Sequence, residues 1–399
     1  MWNKEEIDNT SKYAEFLSEH IPSRRKGEKD FISESTFYEI ISYLPNWKAT
    51  GPDGIYNFFI KWLKSLHNIL YKFIRSACLS DQFEEEWLYN GNTFLIPKGK
   101  ATTGAHFRPN TCISNLYKLM TKCVTKAEQV ELEERDIITE NQLGTIRNVQ
   151  GAKEQAMINI ALNKKCDNNL KTAWIDVKKA FDSINHRFLS KCIECLKFPK
   201  WVEQFIKGIM TKWRHNILYN NETVISKNIK KGILQGDSLS PLLFIIIMVP
   251  LSKLLNSMFP KVQIPINEKR SYCTNHLLFI DDLKIMAERE STVQIITNET
   301  KRFFSIVGLE INTDKSATNS LILVSDSVLL TNNDCYKYLG IIEDKSSRPT
   351  RTNWELITSK IKAGVNKLCD TNLHGRNLMR GINEYATSLL NYYIRLLDI

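Results

Sequence analysis

The amino-acid sequence predicts an α+β fold, and three observations support that class. Apolar residues recur at helical spacing in long segments such as 113–134 and 292–308, which predicts amphipathic helices. Short strand-like apolar runs lie between the helical segments. Two pairs of these runs, within 214–232 and 276–288, have the pattern of antiparallel hairpins, which favours α+β over a parallel α/β sheet.

The first half of the chain is predicted to alternate helices with a few strands. Residues 1–45 have a helical pattern, broken by the basic, polar segment PSRRKGEKD, and GPDG at 51–54 is predicted to be a turn before a further helix. Residues 92–112 predict a strand, a polar loop and an extended segment before Pro109. Residues 168–189 predict a strand followed by a helix.

The second half adds the hairpins and a helical end. The first hairpin is expected to turn at Asn220 and Asn221. The apolar run 241–251 is too short to span a bilayer and is predicted to be a buried helix. Gly308 is predicted to end the helix 292–308, CYKYLGIIED at 335–344 to be a late strand, and the last fifty residues to be helical.

Composition limits the class of protein. The 399 residues suffice for two or three domains, and the net charge of +10 suits an anionic partner such as nucleic acid or a membrane surface. The nine cysteines show neither a disulfide framework nor zinc-ligand spacing, and Cys192 falls on the apolar stripe of a predicted helix. A reducing, intracellular setting is therefore expected, and the charged N-terminal segment has no signal-peptide pattern.

Three aspartates stand at the ends of apolar, strand-like runs. Asp281 and Asp282 lie between the two runs of HLLFIDDLKIMAE, and Asp176 follows the run TAWI. An Asp pair in a turn is commonly just solvated. A carboxylate that ends a buried strand is costly unless it is paired or binds metal, so convergence of the three would give hard oxygen ligands for Mg²⁺. Two such ions would suit phosphoryl transfer to a primer 3′-hydroxyl.

Nine segments in a fixed order resemble the reverse transcriptases of non-LTR retrotransposons, and within them most closely the Dong-like branch, whose elements insert through a restriction-like endonuclease. The segments are GPDG (51–54), FLIPKGK (94–100), FRPNTCISNLYKLMTK (107–122), ENQLGTIRNVQGAKEQ (140–155), AWIDVKKAFDSINH (173–186), GILQGDSLSPLLF (232–244), FIDDLKI (279–285), GLEINTDKS (308–316) and YKYLGI (336–341). They cover about residues 45–345, most of the chain.

The resemblance implies a right-hand polymerase fold with a ferredoxin-like palm that has an antiparallel sheet. It implies an N-terminal helical extension over 1–45, fingers over 46–170, a palm with finger insertions over 171–345 and a partial helical thumb over 346–399. The chain is expected to be C-terminally truncated, since it ends within the expected thumb and its sequence has no zinc knuckle or endonuclease. Nicking of target DNA is accordingly not expected.

The resemblance also implies the roles of the site residues. Asp176, Asp281 and Asp282 match the catalytic, metal-binding aspartates, with two Mg²⁺ ions that Mn²⁺ could replace. Lys315 matches a lysine proposed to protonate pyrophosphate. Ile280 stands where the family often has alanine, and its side chain is expected on the strand face opposite the aspartates.

Substrate-binding roles are implied for five further residues. Lys98 and Arg108 match residues that hold the incoming triphosphate. Phe181 matches a steric gate that favours deoxynucleotides, although on its own it would read as a core residue. Gln235 and Gly236 match the floor under the nascent base pair, where Gly236 would allow close backbone approach.

Three hypotheses about activity remain at this point. The first is an RNA-directed DNA polymerase that uses an RNA template, a DNA or RNA primer and deoxynucleoside triphosphates, with no membrane. The second is an RNA-directed RNA polymerase or an intron-maturase relative, and Phe181 argues against the polymerase alternative. The third is a catalytically silent or truncated RNA-binding derivative, against which retention of all three aspartates counts. Family resemblance implies action in the nucleus.

Overall fold

The computed structural model describes residues 4–22, 31–80, 85–97, 99, 107–167, 169–219, 222–323, 327–394 and 396–397. The chain folds into two compact units. Unit 1 comprises 1–139, 178–254 and 303–310, and unit 2 comprises 140–177, 255–302 and 311–399.

The α-helices are α1 Lys4–His20, α2 Glu34–Ser42, α3 Asn57–Trp62, α4 His67–Leu79, α5 Asn115–Glu134, α6 Ala152–Lys165, α7 Ala180–Ser183, α8 His186–Leu196, α9 Lys200–Lys212, α10 Ser240–Met258, α11 Glu290–Val307, α12 Thr352–Cys369, α13 Gly375–Gly381 and α14 Leu390–Tyr393. The strands are β1 Asn90–Pro97, β2 Phe107–Ile113, β3 Lys171–Ile175, β4 Arg214–Tyr219, β5 Glu222–Asn228, β6 Val262–Asn267, β7 Arg270–Thr274, β8 His276–Phe279, β9 Asp282–Ala287, β10 Ala317–Thr318, β11 Val328–Leu329, β12 Cys335–Tyr338 and β13 Ile341–Asp344.

Unit 1 contains a four-stranded sheet in the order β2-β1-β4-β5. Strand β1 pairs antiparallel with β2 and parallel with β4, and β4 and β5 form a hairpin. Pro109 lies in β2, which is an edge strand, so its missing N–H costs no hydrogen bond with a further strand. The apolar helix α10 supplies buried core residues from Leu242 to Leu251.

Unit 2 contains a five-stranded sheet in the order β11-β10-β3-β9-β8, with β3 at its centre. Strand β9 pairs antiparallel with both β3 and β8. Two separate hairpins, β6–β7 and β12–β13, belong to the same unit. One face of the sheet packs Trp174 with Ala317, Leu330 and Tyr338, so the hairpin β12–β13 shares a core with the central strand.

The predicted α+β class is confirmed, because the described residues form helices together with mainly antiparallel sheets. Both predicted hairpins are present, although Asn220 and Asn221 lie outside the described residues. Gly308 follows α11 with φ +84°, as predicted for a helix end. Segment 335–344 is a hairpin, not one strand, because Leu339 and Gly340 both have positive φ and reverse the chain.

Helix α10 is as buried as the sequence predicted. Within the described part of the chain it is the helix long and apolar enough, by length and composition, to cross a membrane. Most of its residues are buried in the protein, which is the pattern of a core helix.

Candidate active site

The aspartate pair lies in the turn of the hairpin β8–β9. Phe279 and Asp282 are the last paired residues, so Ile280 and Asp281 form the two-residue turn between them. Ile280 therefore lies in the turn and not in a strand, which differs from the predicted position. Its φ is +58°, a left-handed conformation that β-branched residues rarely adopt. Such strain persists only where the surroundings hold it, and it is typical of functional sites.

Gln142 supplies contacts that hold this turn. Its side-chain oxygen Oε1 accepts hydrogen bonds from the backbone N–H of Ile280, at 2.9 Å, and of Gly144, also at 2.9 Å. Gln142 is 2% exposed, and its backbone forms an isolated parallel β-bridge with Leu278. A Cβ on Gly144 would lie 2.8 Å from Cγ1 of Ile280, so only glycine fits there without displacing the turn.

Asp176 directly follows the central strand β3. Strand register pairs Ile175 with Leu283, and continuing that register by one residue places Asp176 opposite Asp282. The sheet thus brings the aspartate from one segment beside the pair from another. This convergence follows from antiparallel pairing of β3 with β9, in which directly opposed residues project from the same face.

A short turn at 312–316 fixes Asp176. The side chain of Asn312 donates from Nδ2 to Oδ2 of Asp176 at 2.9 Å, and its backbone N–H donates to the carbonyl oxygen of Asp176 at 2.8 Å. The hydroxyl of Ser316 accepts the backbone N–H of Asp176 at 3.0 Å. Lys315 lies in this turn with an exposed side chain, so it belongs to the same segment as the groups that hold Asp176.

The three carboxylates interact electrostatically. Desolvation of the Asp282 carboxylate raises its pKa to about 6, and the negative charges of Asp281 and then Asp176 add to this effect. Crowded carboxylates of this kind are the hard oxygen donors that Mg²⁺ prefers, so the donor chemistry fits a divalent cation. Among the residues that the structure describes, no group of three or more His, Cys, Asp or Glu side chains is arranged as a metal site. The three aspartate side chains would therefore have to turn toward one another to share an ion.

Unit 1 brings together three of the predicted substrate-binding residues. The backbone N–H of Ile233 donates to the carbonyl oxygen of Phe181 at 2.7 Å, and Nε2 of Gln235 donates to Oδ1 of Asp182 at 3.2 Å. The loop that contains Gln235 and Gly236 therefore packs on the turn that contains Phe181. Gly236 has φ +99°, and a Cβ there would lie 3.3 Å from the carbonyl oxygen of Thr111.

The ring of Phe181 is half-buried. One face stacks on Phe244, with ring centroids 5.3 Å apart and an angle of 19° between the planes. Phe244 is fully buried, so the core fixes the orientation of the Phe181 ring while leaving part of it accessible.

Two predicted residues cannot be placed. Lys98 lies outside the described residues, and so does the side chain of Arg108, although its backbone belongs to β2. Their predicted contacts with a triphosphate stay predictions.

Sequence reasoning overlooked Gln142, Asn312 and Ser316. All three lie inside quoted segments, ENQLGTIRNVQGAKEQ and GLEINTDKS, but none is charged or at a strand end. Only Gln142 has a local signal, since Gly144 lies two residues after it; Asn312 and Ser316 lie in the polar run NTDKS, which has the pattern of a solvated turn. Their partners lie 136 to 140 residues away for the contacts described, which a local pattern cannot show.

The sheet of unit 2 places Asp176 opposite Asp282 and beside the turn that contains Asp281. The family model described as reverse transcriptase (RNA-dependent DNA polymerase) matches residues 96–342. The chain belongs to this family. The predicted resemblance to non-LTR retrotransposon reverse transcriptases is confirmed by this match and by relatives from R2 retrotransposable elements.

Curated proteins with similar sequences include Pol polyproteins of R2 retrotransposable elements. The chain is 32% identical, over 150 residues, to a Pol polyprotein from the type-2 retrotransposable element R2DM of Drosophila melanogaster, covering 37% of this chain and 13% of the relative. Over 324 residues it is 24% identical to an R2 Pol polyprotein of Popillia japonica, covering 76% and 44%. Over 321 residues it is 26% identical to one of Nasonia vitripennis, covering 76% and 29%. The chain thus spans less than half the length of these relatives.

Proposed function

We propose that this chain copies an RNA template into DNA by adding deoxynucleotides to a primer 3′-hydroxyl. The observation that carries the proposal is the register of β3 against β9, which aligns Asp176 with Asp282 beside Asp281. Membership of the reverse transcriptase family supports the same chemistry. RNA-directed DNA synthesis would use both the aligned aspartates and the chemistry of this family.

Asp176, Asp281 and Asp282 would hold two Mg²⁺ ions, which Mn²⁺ could replace. When bound, the metal would supply positive charge for the triphosphate and favour deprotonation of the primer hydroxyl. Asn312 and Ser316 orient Asp176 for this role through the hydrogen bonds described above. Lys315 would carry a proton on Nζ and deliver it to the leaving pyrophosphate oxygen.

The two remaining groups of residues would serve substrate placement. In this proposal the chain is a right hand with an N-terminal extension over 1–45, fingers over 46–170, palm over 171–345 and thumb over 346–399. Lys98 and Arg108 would neutralise the triphosphate from the fingers. The hairpin β12–β13 would grip the primer end, and Gln235 with Gly236 would form the floor under the nascent base pair.

Phe181 would exclude ribonucleotides by bulk. Its ring stacks on the buried Phe244, which would oppose movement of the ring away from a 2′-hydroxyl. Phe181→Val should raise ribonucleotide incorporation by about 10- to 100-fold relative to deoxynucleotides. Phe181→Tyr, which keeps the ring, is the matched control. Unchanged sugar selectivity in Phe181→Val would refute the gate.

The partners in this proposal are an RNA template, a DNA or RNA primer and deoxynucleoside triphosphates. The net charge of +10 supports binding of the phosphate backbone. Similarity to R2 polyproteins supports a non-LTR retrotransposon source, and assignment to the Dong-like branch stays a prediction. Copying at chromosomal DNA would take place in the nucleus.

Primer extension on an RNA template with Mg²⁺ tests the proposal. Wild-type protein should incorporate deoxynucleotides, and Asp281→Ala should lower the rate by about three orders of magnitude or more. Asp314→Asn is the matched control, because Asp314 is exposed in the nearby turn 312–316. Tight RNA binding without any extension by the wild type would instead indicate a silent RNA-binding derivative.

A further inference from the structure

Strand β9 carries a fully buried lysine two residues after the aspartate pair. Nζ of Lys284 donates to Oε2 of Glu343 at 2.8 Å and to Oδ1 of Asn159 at 2.6 Å. Both charged side chains are buried, at 0% and 1% exposure. The ammonium also lies over the rings of Trp174, at 4.8 Å from the centroid, and Tyr338, at 5.1 Å.

Glu343 is held from several directions. Its Oε1 accepts a hydrogen bond from Nδ2 of Asn159, and its Oε2 accepts from Nε1 of Trp174 at 3.2 Å as well as from Lys284. The carboxylate thereby joins three elements, namely β3, α6 and β9, to its own strand β13. Because hydrogen bonds to ions are directional and strong in a dry interior, this arrangement favours the observed position of β13 against β9.

The buried pair lies on the sheet face that carries the aspartates. Asp282 and Lys284 are two residues apart in β9, so their side chains project from the same face. Trp174 pairs with Lys284, one pleat away from the position where Asp176 opposes Asp282. The network of Lys284 and Glu343 therefore lies next to the aspartates along β3 and β9, on the same face of the sheet.

The hairpin β12–β13 covers that face. Its register pairs Tyr336 with Glu343, and the ring of Tyr336 packs on Trp174 with centroids 5.4 Å apart. Tyr338 contacts the ammonium of Lys284 from the same strand. The side of the hairpin that faces the sheet is thus anchored one pleat from the aspartates.

Stability alone is a weak explanation for this pair. Burial of two ions costs so much desolvation that apolar residues of similar volume often serve a core equally well. In some proteins a buried polar or ionic group instead fixes the register of the elements that it joins. The two elements here are the strand that starts at Asp282 and the hairpin proposed to grip the primer.

We infer that Lys284 and Glu343 are a positioning pair that fixes the hairpin β12–β13 against β9, and thereby sets where the primer end lies relative to the aspartates. The inference rests on the proposed function, which it deepens. Neither residue touches the reacting atoms in this role. Their effect is on the primer, and the binding of the incoming nucleotide is left unchanged.

The test compares Lys284→Met with the double variant Lys284→Met/Glu343→Gln. The single variant leaves a buried, unpaired carboxylate, so loss of folding there would be uninformative by itself. The double variant buries no charge, and the new amide keeps one oxygen that can accept the hydrogen bond of Trp174. The matched control is Lys171→Met/Glu290→Gln, which removes a partly exposed ion pair of 3.0 Å at the start of β3.

In steady-state primer extension, the double variant should change the KM for primer–template but not the KM for the deoxynucleotide. We expect the KM for primer–template to rise about 10- to 100-fold while the KM for the deoxynucleotide and the Tm stay close to wild type. The control variant Lys171→Met/Glu290→Gln should match wild type in both KM values and in Tm. A double variant with the wild-type KM for primer–template, or with equal rises in both KM values, would overturn the inference.

Failure of the proposed function can be told apart from failure of the inference. If wild-type protein extends no primer, the Kd values for primed and unprimed template are measured by fluorescence anisotropy without nucleotide. The inference then expects weaker binding of the primed template alone in the double variant. Equal binding of the primed template by wild type and double variant would refute it.

Discussion

Glu128 makes the pH dependence of stability predictable. It lies on α5 at 1% exposure, and no group among the described residues donates a hydrogen bond to either carboxylate oxygen. Burial alone raises its pKa from 4.5 to about 8. We predict that Glu128→Met, which keeps an unbranched side chain of similar length, stabilises the protein at neutral pH.

The size of this effect follows from linkage. Between pH 4.5 and 8 the folded state keeps a proton on Glu128 that the unfolded state has lost, so stability falls as pH rises. Each pKa unit corresponds to about 1.4 kcal/mol, which gives a cost of about 3 kcal/mol at pH 7. From pH 5.5 to 7.5 this one group should lower the free energy of unfolding by about 2.5 kcal/mol.

Urea unfolding at pH 5.5 and at pH 7.5 measures both quantities. Glu128→Met should remove most of the slope and should exceed the wild type in stability at pH 7.5. Glu39→Gln, at an exposed position of α2, is the control and should leave the slope intact. An unchanged slope in Glu128→Met, or a variant less stable than wild type at pH 7.5, would refute this reasoning.

Two further predictions concern the turn and the segment that hold the aspartates. Gly144→Ala should lower the extension rate and reduce the free energy of unfolding in urea by about 1–3 kcal/mol, because the added Cβ would meet Ile280. Gly208→Ala is the control, since a Cβ there meets open space, and it should change neither quantity. Asn312→Ala should reduce kcat about tenfold with little change in the KM for primer–template, because it removes the bond to the Asp176 carboxylate. Extension at the wild-type rate by Asn312→Ala would show that Asp176 needs no such support.

The sequence allowed the fold class and the convergence of the aspartates to be predicted because both depend on local patterns. Alternating and apolar runs predicted β3, β8 and β9, and burial of one face of such strands specifies their register once they pair. The predicted meeting of Asp176 with Asp282 then required only that β3 and β9 be neighbours. Their pairing is antiparallel and in the register that aligns the two residues.

The contacts that support the site were beyond local reasoning. Lys284 interrupts an apolar run and would ordinarily be assigned to solvent, yet its partner Glu343 lies 59 residues away. The left-handed conformation of Ile280 is disfavoured by its own side chain, and it depends on Gln142 at a separation of 138 residues. Tertiary partners thus override the preference of each residue taken alone.

The chain passes between the two units five times, after residues 139, 177, 254, 302 and 310. At about 5–20 residues per second, a ribosome needs roughly 10–35 s to pass from residue 139 to residue 310, where unit 1 receives its last segment. During that interval the early sheet strands are present without partners from later segments. Because 1–310 contains every segment of unit 1 and 140–399 contains every segment of unit 2, any single cut between residues 140 and 310 leaves neither unit intact.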